Sequence, residues 1–559
     1  MTTPKLILDY VYDHESAYAD KVFLTQPVGK GLVKDYTWAQ TLDQSRRMAA
    51  HLRGLGFEPG SRIALLSKNC AHFFMTELAI WMAGYTTVAI FPTETAETVR
   101  YVLEHSEAKL LFVGKLDTWG QQISGVPQGV SCIALPLGPQ TNFETWDAIV
   151  ARTPPLGGRP QRDTKDMAML IYTSGSTGRP KGAMISFGAI TRAGEGFSSY
   201  TRERLGTDAE VRILSYLPLA HSYERSCVEA SCLIAGEAHV YFAETLDTFL
   251  QDLQRARPTI FISVPRLWLK FQQGVFAKMP PKKLDRLLSI PILGRIVGKK
   301  VLKGLGLDQV RNAASGSAPI PADLIAWYRR LGLKLYEGYG MTEDNSFSHG
   351  SNEKFNEPGY VGVAMPGVQV RISPEGEVLI KSPGQFDGYY KQPELTAESF
   401  TEDGFFHTGD LGELRADGLL KITGRAKELF KTGKGKYVAP APIENLLNAH
   451  PLVELSLVSG VGQVSAYGMV VLAESIRPKL GDPQVRAEVE GQLSQLLKDV
   501  NRQLSEYEHL RMLVVMSDPW SIENGTLTPT MKVRRSRIET AVAPQIEVWY
   551  ASTGTVHWA

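Results

Sequence analysis

Met167-Ala168-Met169-Leu170-Ile171-Tyr172 runs directly into Thr173-Ser174-Gly175-Ser176-Thr177-Gly178-Arg179-Pro180-Lys181-Gly182. The first six residues predict a short apolar strand. The next ten hold three glycines, which let the backbone approach an anion closely, and four hydroxyls and a lysine that can donate to phosphate oxygens. A strand feeding such a loop is a common way to hold a nucleoside triphosphate. A flexible linker competes, but a linker has no need of Arg-Pro-Lys-Gly at its end. The loop is not a Walker A motif, because Lys181 stands three positions after Gly178 and is followed by Gly182 instead of Ser or Thr. Gly294 to Lys300 is a second near-miss. No G-x-G-x-x-G follows a strand and no G-x-S-x-G elbow is present, so dehydrogenases and α/β-hydrolases lose their entry points. A kinase-type or ATPase reading stays open here.

Outward from this loop, β-branched runs alternate with amphipathic segments. Lys109 to Val113, Ala238 to Phe242 and Thr259 to Val264 predict strands, the last followed by a helix from Pro265. This alternation is the α/β signature. Gly359 to Gly388, rich in Gly, Pro and Val, predicts short antiparallel strands. The last portion changes to an α+β pattern. Val453 to Val458, Tyr467 to Ala473 and Arg511 to Met516 predict strands. Asp482-Pro483 supplies a helix start, and Val485, Val489, Leu493, Leu497, Val500 and Leu504 recur at helical spacing. The expected division is 1–424 and 425–559, since 559 residues exceed one compact core.

Lys+Arg number 60 and Asp+Glu 59, so whole-molecule attraction to nucleic acid has no support. Cys70, Cys132, Cys227 and Cys232 are scattered without a Cys-x-x-Cys pair, which predicts reduced thiols and neither zinc nor disulfides. Met1-Thr2-Thr3-Pro4-Lys5 lacks a signal-peptide pattern, and Phe73 to Pro92 reads as a buried helix and strand, not a membrane span. A cytoplasmic protein is expected.

The loop Tyr172 to Gly182 resembles the signature of the AMP-forming acyl-CoA synthetase and adenylate-forming ligase superfamily, and the resemblance continues in order along the chain. Tyr336-Glu337-Gly338-Tyr339-Gly340-Met341-Thr342-Glu343 resembles the adenine and magnesium segment. His407-Thr408-Gly409-Asp410 resembles the ribose turn, Gly424-Arg425-Ala426-Lys427 the hinge, and Asn524 to Lys532 the terminal catalytic-lysine motif. The resemblance implies an α/β fold. It has a large N-terminal domain of two β-sheets with helices between and around them, a β-barrel-like subdomain, and a small mobile α+β C-terminal domain.

It also implies ATP, Mg²⁺ and coenzyme A as partners of the reaction. A carboxylate joins the α-phosphate and pyrophosphate leaves, so cations must cancel the repulsion of two anions. Glu343 is the expected Mg²⁺ carboxylate, with Thr173 near the metal. Lys532 is the electrostatic clamp, Tyr339 the ring against adenine, and Thr342 a hydroxyl on the α-phosphate. Asp410 and Arg425 face the ribose. Ser315-Gly316-Ser317 is a small-residue turn at the nucleotide–carboxylate junction, although an ordinary turn competes. The implied nucleotide set is Thr173, Ser174, Gly175, Ser176, Thr177, Gly178, Lys181, Ser315, Gly316, Glu337, Gly338, Tyr339, Gly340, Met341, Thr342, Asp410, Ile422, Arg425 and Lys532. Lys427 is the implied hinge. His407 and Asp410 lack a third ligand and are not read as a metal pair.

Tyr216 to Arg225, Phe261 to Trp268, and Asp403 to Asp410 continued by Lys427 to Pro440 resemble the long-chain fatty acid:CoA ligase branch. The expected substrate is a long-chain fatty acid. His221 borders the carboxylate pocket or is structural, and Lys431, Gly433, Lys434 and Gly435 hold coenzyme A phosphates or form a solvated loop. A ligase loading a carrier-protein thiol and a silent nucleotide- and acyl-binding protein are the alternatives. Gly424 stands where the branch often has Asp, and no counterpart of the N-terminal membrane helix of many eukaryotic members is expected. Met279 to Leu307 mixes apolar residues with Lys282, Lys283, Arg286, Arg295, Lys299, Lys300 and Lys303. That mixture fits a basic surface helix or a peripheral membrane contact. The oligomeric state stays open, a homodimer included.

Overall fold

The run from Phe73 to Pro92 divides as its residues require. Every residue of the helix Ala71–Ala83 is buried. Gly84, at φ 95°, ends the helix in the left-handed conformation that a side chain disfavours, and the fully buried strand Thr86–Ile90 follows. Among the described residues no helix is long and apolar enough to cross a membrane. The computed structural model describes residues 4–173, 179–206, 209–528 and 531–559. Met1 to Thr3, Ser174 to Gly178 of the glycine-rich loop, and Pro529 and Thr530 of the terminal motif lie outside them.

Among the described residues, eight strands form one sheet. Six are parallel neighbours: Met167–Thr173, Thr86–Ile90, Arg62–Leu66, Leu110–Val113, Ser131–Ala134 and Glu144–Thr145. Lys181–Ser186 then returns antiparallel to Met167–Thr173, with Thr173 opposite Lys181. The glycine-rich segment thus joins two antiparallel strands and does not enter a helix. The next helix, Phe187–Leu205, starts only after Ser186 caps it by accepting from the Ala189 N–H. A nine-stranded sheet includes Leu335–Tyr339, Asn312–Ser315, Ile260–Ser263, Val211–Ser215 and Ala238–Phe242 as parallel neighbours. One hydrophobic cluster joins both sheets through Ala71–Ala83 and Phe187–Leu205.

The Gly- and Pro-rich stretch after Gly359 forms short strands as its composition predicts. Gln369–Ile372 and Glu377–Lys381 pair antiparallel with Phe406–Leu414 and Leu420–Arg425 in a four-stranded sheet. Val453–Ser459, Ala466–Leu472, Leu510–Val515 and Val556–Trp558 form the last sheet. Helix Pro483–Asn501 lies beside it, and the Asp482 carboxylate accepts from the Gln484 N–H at 2.8 Å as its cap. Val489, Leu493, Leu497 and Val500 are buried, whereas Val485 and Leu504 at the ends of the repeat are only partly so. Among the described residues, no hydrophobic cluster spans the chain between Ile422 and Phe430. A large N-terminal domain and a small C-terminal domain result. The near-miss Gly294 to Lys300 lies inside helix Pro291–Gly304, so it is no phosphate loop. All four cysteines are free thiols.

The core contains an ion cluster. Arg225, fully buried, pairs with Glu77 of helix Ala71–Ala83 and, at 2.8 Å, with Glu229. It begins a π-helical turn, Arg225–Ala230, whose wider winding interrupts the regular helix. Beside it, Glu224 accepts from Ser215 Oγ at 2.7 Å and from the Tyr216 N–H at 3.2 Å, and burial pushes its carboxyl up to about 8. Arg225→Ala would leave two carboxyls in the core without their cation. We predict a loss of about 3–5 kcal/mol, read from the denaturant midpoint at unchanged slope. A loss below about 1 kcal/mol would show that Glu77 and Glu229 are accommodated as neutral acids without Arg225.

Candidate active site

The ends of the parallel strands bring the motifs of the N-terminal domain together. Glu337, Gly338 and Tyr339 close the strand Leu335–Tyr339, and Ser315, at the end of the neighbouring strand, lies opposite Glu337. Burial pushes the Glu337 carboxyl up to about 7, opposed by the backbone N–H groups of Gly359 and Ile320. Gly316 lies where a Cβ would come within 3.3 Å of the Tyr223 ring, so the turn after Ser315 leaves little room for a side chain. Gly340 is stricter still. A Cβ there would meet the Ser346 backbone at 2.6 Å, in the tight turn closed by Ser346 N–H donating to Met341 C=O. Asp344 accepts from the Met341 N–H at 2.8 Å, and burial pushes its carboxyl up to about 8.

Thr342 and Glu343 sit in this turn. Thr342 is buried, its hydroxyl 3.4 Å from that of Ser222, which lies 2.9 Å from Ser346 Oγ. These hydroxyls join the turn to the segment Tyr216 to Arg225. There His221 Nδ1 accepts from the Tyr223 N–H at 3.1 Å, which leaves any ring proton on Nε2. Burial, with Lys532 as the second cause, pushes His221 down to about 3, so it is neutral at physiological pH.

Glu343 has a partner that the motifs do not contain. Tyr389 Oη donates to Glu343 Oε1 at 2.7 Å, and the Lys181 ammonium lies 5.2 Å from the centre of the same ring. Tyr389 belongs to Gly388–Tyr389, the strand that pairs with Lys181–Ser186, so sheet pairing brings Tyr389 to Lys181, and the Phe386 N–H donating to the Glu343 C=O at 2.8 Å holds the turn beside them. Its sequence signal is weak, one aromatic residue after a Gly/Pro-rich stretch. Thr173 stands across the same hairpin from Lys181. Ser174, Gly175, Ser176, Thr177 and Gly178 lie outside the described residues.

The small sheet supplies the opposite wall. Tyr339 Oη donates to Asp410 Oδ2 at 2.6 Å, and Arg425 Nε donates to Asp410 Oδ1 at 2.8 Å. Asp410 and Arg425 are register partners on adjacent strands, and Ile422 packs with Tyr339 in a cluster on this sheet. The turn His407 to Asp410 is fixed by Glu377, which lies 2.9 Å from His407 Nδ1 and accepts from the Gly409 N–H at 2.8 Å. His407 therefore faces Glu377, and among the described residues no three His, Cys, Asp or Glu side chains could together hold a metal. One carboxylate beside a phosphate-bearing ligand is nevertheless a donor set that suits Mg²⁺, which keeps several waters and takes few protein ligands.

Lys532 of the C-terminal domain lies within electrostatic reach of this wall. Its backbone N–H donates to Thr528 Oγ1 at 3.0 Å, while Met531, at φ 63°, turns the chain. Desolvation between the domains and then Arg425 push the ammonium below the ordinary lysine range, and Asp410, Glu343 and Glu428 oppose that shift. The side chain keeps accessible surface, so water tempers the desolvation. Arg266 of the large domain and Glu454 of the small one form an ion pair. Lys427 lies exposed in the turn Ala426–Glu428, just after Arg425. Lys431, Gly433, Lys434 and Gly435 belong to a tight hairpin. There Gly433 N–H donates to Gln463 C=O at 2.7 Å, and a Cβ on Gly433 would meet the Gly462 carbonyl oxygen at 2.8 Å.

Comparison with known proteins agrees with this architecture. Residues 12–390 match the AMP-binding enzyme family, and residues 429–554 match the AMP-binding enzyme C-terminal domain. The long-chain-fatty-acid–CoA ligase FadD15 of Mycobacterium bovis is 31% identical over 97% of this chain and 96% of its own length. Human long-chain-fatty-acid–CoA ligase 1 is 28% identical over 92% of this chain and 83% of its own. The A domain of a Segniliparus rugosus carboxylic acid reductase, solved with AMP and a co-purified carboxylic acid, shares the fold at TM-score 0.80 and 22% identity, over 98% of this chain and 94% of its own. The anthranilate CoA ligase AuaEII shares it at TM-score 0.78 and 19% identity, over 98% and 99%. The chain belongs to the AMP-binding enzymes, the adenylate-forming superfamily that its motifs resemble.

Proposed function

We propose that this protein is an ATP- and Mg²⁺-dependent fatty acid:CoA ligase acting on long-chain acids. The observation that carries the site reading is the approach of Lys532, from the small domain, to the carboxylates Asp410 and Glu343 of the large one. The long-chain ligases matched along nearly the whole chain supply the substrate class. In the first half-reaction the fatty acid carboxylate oxygen attacks the α-phosphorus and pyrophosphate leaves, giving acyl-adenylate. Lys532 spans the two anions and stabilises the charge that builds between them. Glu343, with Thr173 nearby, would hold Mg²⁺, which would supply charge neutralisation on the phosphates. Tyr389 orients the Glu343 carboxylate by donating one hydrogen bond to it. Asp410 presents acceptors to the ribose hydroxyls while Arg425 balances its charge, Tyr339 and Ile422 border the adenine, and Thr342 donates to the α-phosphate. Neutral His221 borders the acyl carboxylate without adding charge. In the second half-reaction the coenzyme A sulfur attacks the acyl carbon and AMP leaves. We place the domain boundary at 424/425 and the pivot at Lys427, whose rotation withdraws Lys532 and brings Lys431, Gly433, Lys434 and Gly435 to the site.

The test of the reaction is a coupled assay of AMP release and thioester formation, with coenzyme A or a phosphopantetheinyl carrier offered and acids from short to long. Acyl-CoA from long-chain acids is expected. Loading of the carrier alone would change the acceptor, a preference for aromatic acids would change the substrate, and no AMP release would mean a silent binder.

Glu343→Gln keeps size and removes one negative charge, and pyrophosphate release should fall about 100-fold or more. Excess Mg²⁺ should restore only part. Tyr389→Phe, losing one hydrogen bond to a charged group, should cost about ten-fold and raise the Mg²⁺ needed for half-maximal rate. Parental rates in both would remove the pair from the site.

Lys532→Ala should cripple adenylation yet still convert supplied acyl-adenylate and coenzyme A to thioester. Lys427→Pro, which fixes φ at the pivot, should spare pyrophosphate release and slow thioester formation. Equal loss of both half-reactions in each folded variant would exclude separate catalytic poses.

A further inference from the structure

The terminal lysine motif runs into an arginine that has no part in the reaction. The two sides of the motif are bonded to each other. Thr528 N–H donates to the Lys532 C=O at 2.8 Å, and Arg534 N–H donates to the Thr526 C=O at 2.8 Å. Leu527 and Val533 form a bridge between the same two sides. Arg535, three residues after Lys532, then opens helix Arg535–Val542 and fastens the base of the motif to the domain.

The fastening is two-pronged. Arg535 Nη1 donates to the Val458 C=O at 2.7 Å, and Nη2 donates to Glu444 Oε1 at 2.7 Å. The same Glu444 oxygen accepts from the Val458 N–H at 2.7 Å. Val458 belongs to Val453–Ser459, which stands at the edge of the last sheet, so its outward backbone groups need partners from outside the sheet. Arg535 and Glu444, the latter from helix Pro440–Asn448, supply them. Their side chains are only 19% and 15% exposed, so the charge-assisted bonds between them are little weakened by water. The guanidinium also comes within 4.0 Å of Glu428, the residue after Lys427. One planar cation therefore meets the edge strand, a helix and the turn that follows Arg425. A second contact docks helix Arg535–Val542 one turn on, where Ser459 Oγ donates to Glu539 Oε1 at 2.6 Å. That contact holds the helix without touching the base of the motif.

We propose that Arg535 is the positioning residue of Lys532, fixing the base of the terminal motif against Val458 and Glu444 so that the ammonium reaches the two anions of the adenylation step. The proposal rests on the ligase reading and deepens it. Arg535 touches no reacting atom. A clamp on developing charge loses rate on small displacements, because its stabilisation depends on preorganised geometry. The second half-reaction, from which Lys532 is withdrawn, does not need that placement.

Pyrophosphate release, and thioester formation from supplied acyl-adenylate and coenzyme A, are measured on the full chain. Arg535→Lys keeps the charge, but a point cation cannot span Val458 and Glu444 in one plane. Its kcat for pyrophosphate release should fall about ten-fold or more, with KM for ATP and acid within about two-fold of the parent. Thioester formation should stay within about two-fold. Glu444→Gln keeps an acceptor for the Val458 N–H and removes the charge, so it should show the same split at about three-fold, and it decides the matter if Arg535→Lys does not fold. Ser459→Ala should lower the melting temperature and leave the two half-reactions in their parental ratio. Equal loss of both half-reactions in the folded variants, or parental pyrophosphate release, would overturn the proposal while parental turnover left the ligase reading standing. A split in Ser459→Ala as large as that in Arg535→Lys would also overturn it. A parent that makes no acyl-adenylate would remove the ligase reading itself, and this proposal with it.

Discussion

The Asp410 carboxylate ties three parts of the chain to one point. Tyr339 reaches it from the nine-stranded sheet, Arg425 grips it from the neighbouring strand of the small sheet, and Arg425 is two residues before Lys427. A buried carboxylate with both oxygens engaged fixes its partners more firmly than a surface ion pair would, because each bond is charge-assisted and largely screened from water. The grip joins two adjacent strands of the small sheet just before Lys427.

The wall also depends on how the core is charged. Arg225, Glu77 and Glu229 form a cluster that is expensive to desolvate and is kept in the middle of the main hydrophobic cluster. It sits one turn beyond Ser222, whose hydroxyl meets Thr342 and Ser346. The π-helical turn that begins at Arg225 therefore sets where the segment Tyr216 to Arg225 meets the Gly340–Glu343 turn. Packing deep in the domain is in this way coupled to the placement of Thr342 and Glu343.

Electrostatics across the molecule follow one pattern, in which nearly equal totals are sorted by place. Asp410, Glu343 and Glu428 act on the Lys532 ammonium against Arg425. Ion pairs such as Arg266–Glu454 link the domains. The surplus of cations collects on the helices from Pro281 to Gly304, far in sequence from the motifs. A net charge of +1 excludes a global field but says nothing of such sorting.

The α/β alternation, the buried helix and strand of residues 71–90, the Asp482 cap and the helical repeat from Val489 to Val500 were all written locally, because hydrophobic period and capping chemistry act over a few residues. The motif residues were likewise legible one by one, since Gly340 and Gly316 are small for reasons of close approach that a short motif preserves. Tyr389 beside Glu343, Glu377 behind His407, and the return of the glycine-rich segment as a hairpin were not. Each depends on strand pairing, between neighbouring strands for the hairpin and between segments tens to hundreds of residues apart for the other two, and the residues of one partner do not name the other. The exposure of Ile292 and Ile296 belongs to the same class. Their apolar character is in the sequence, but only the packing of Gly294 and Gly298 against distant carbonyls decides that they face outward.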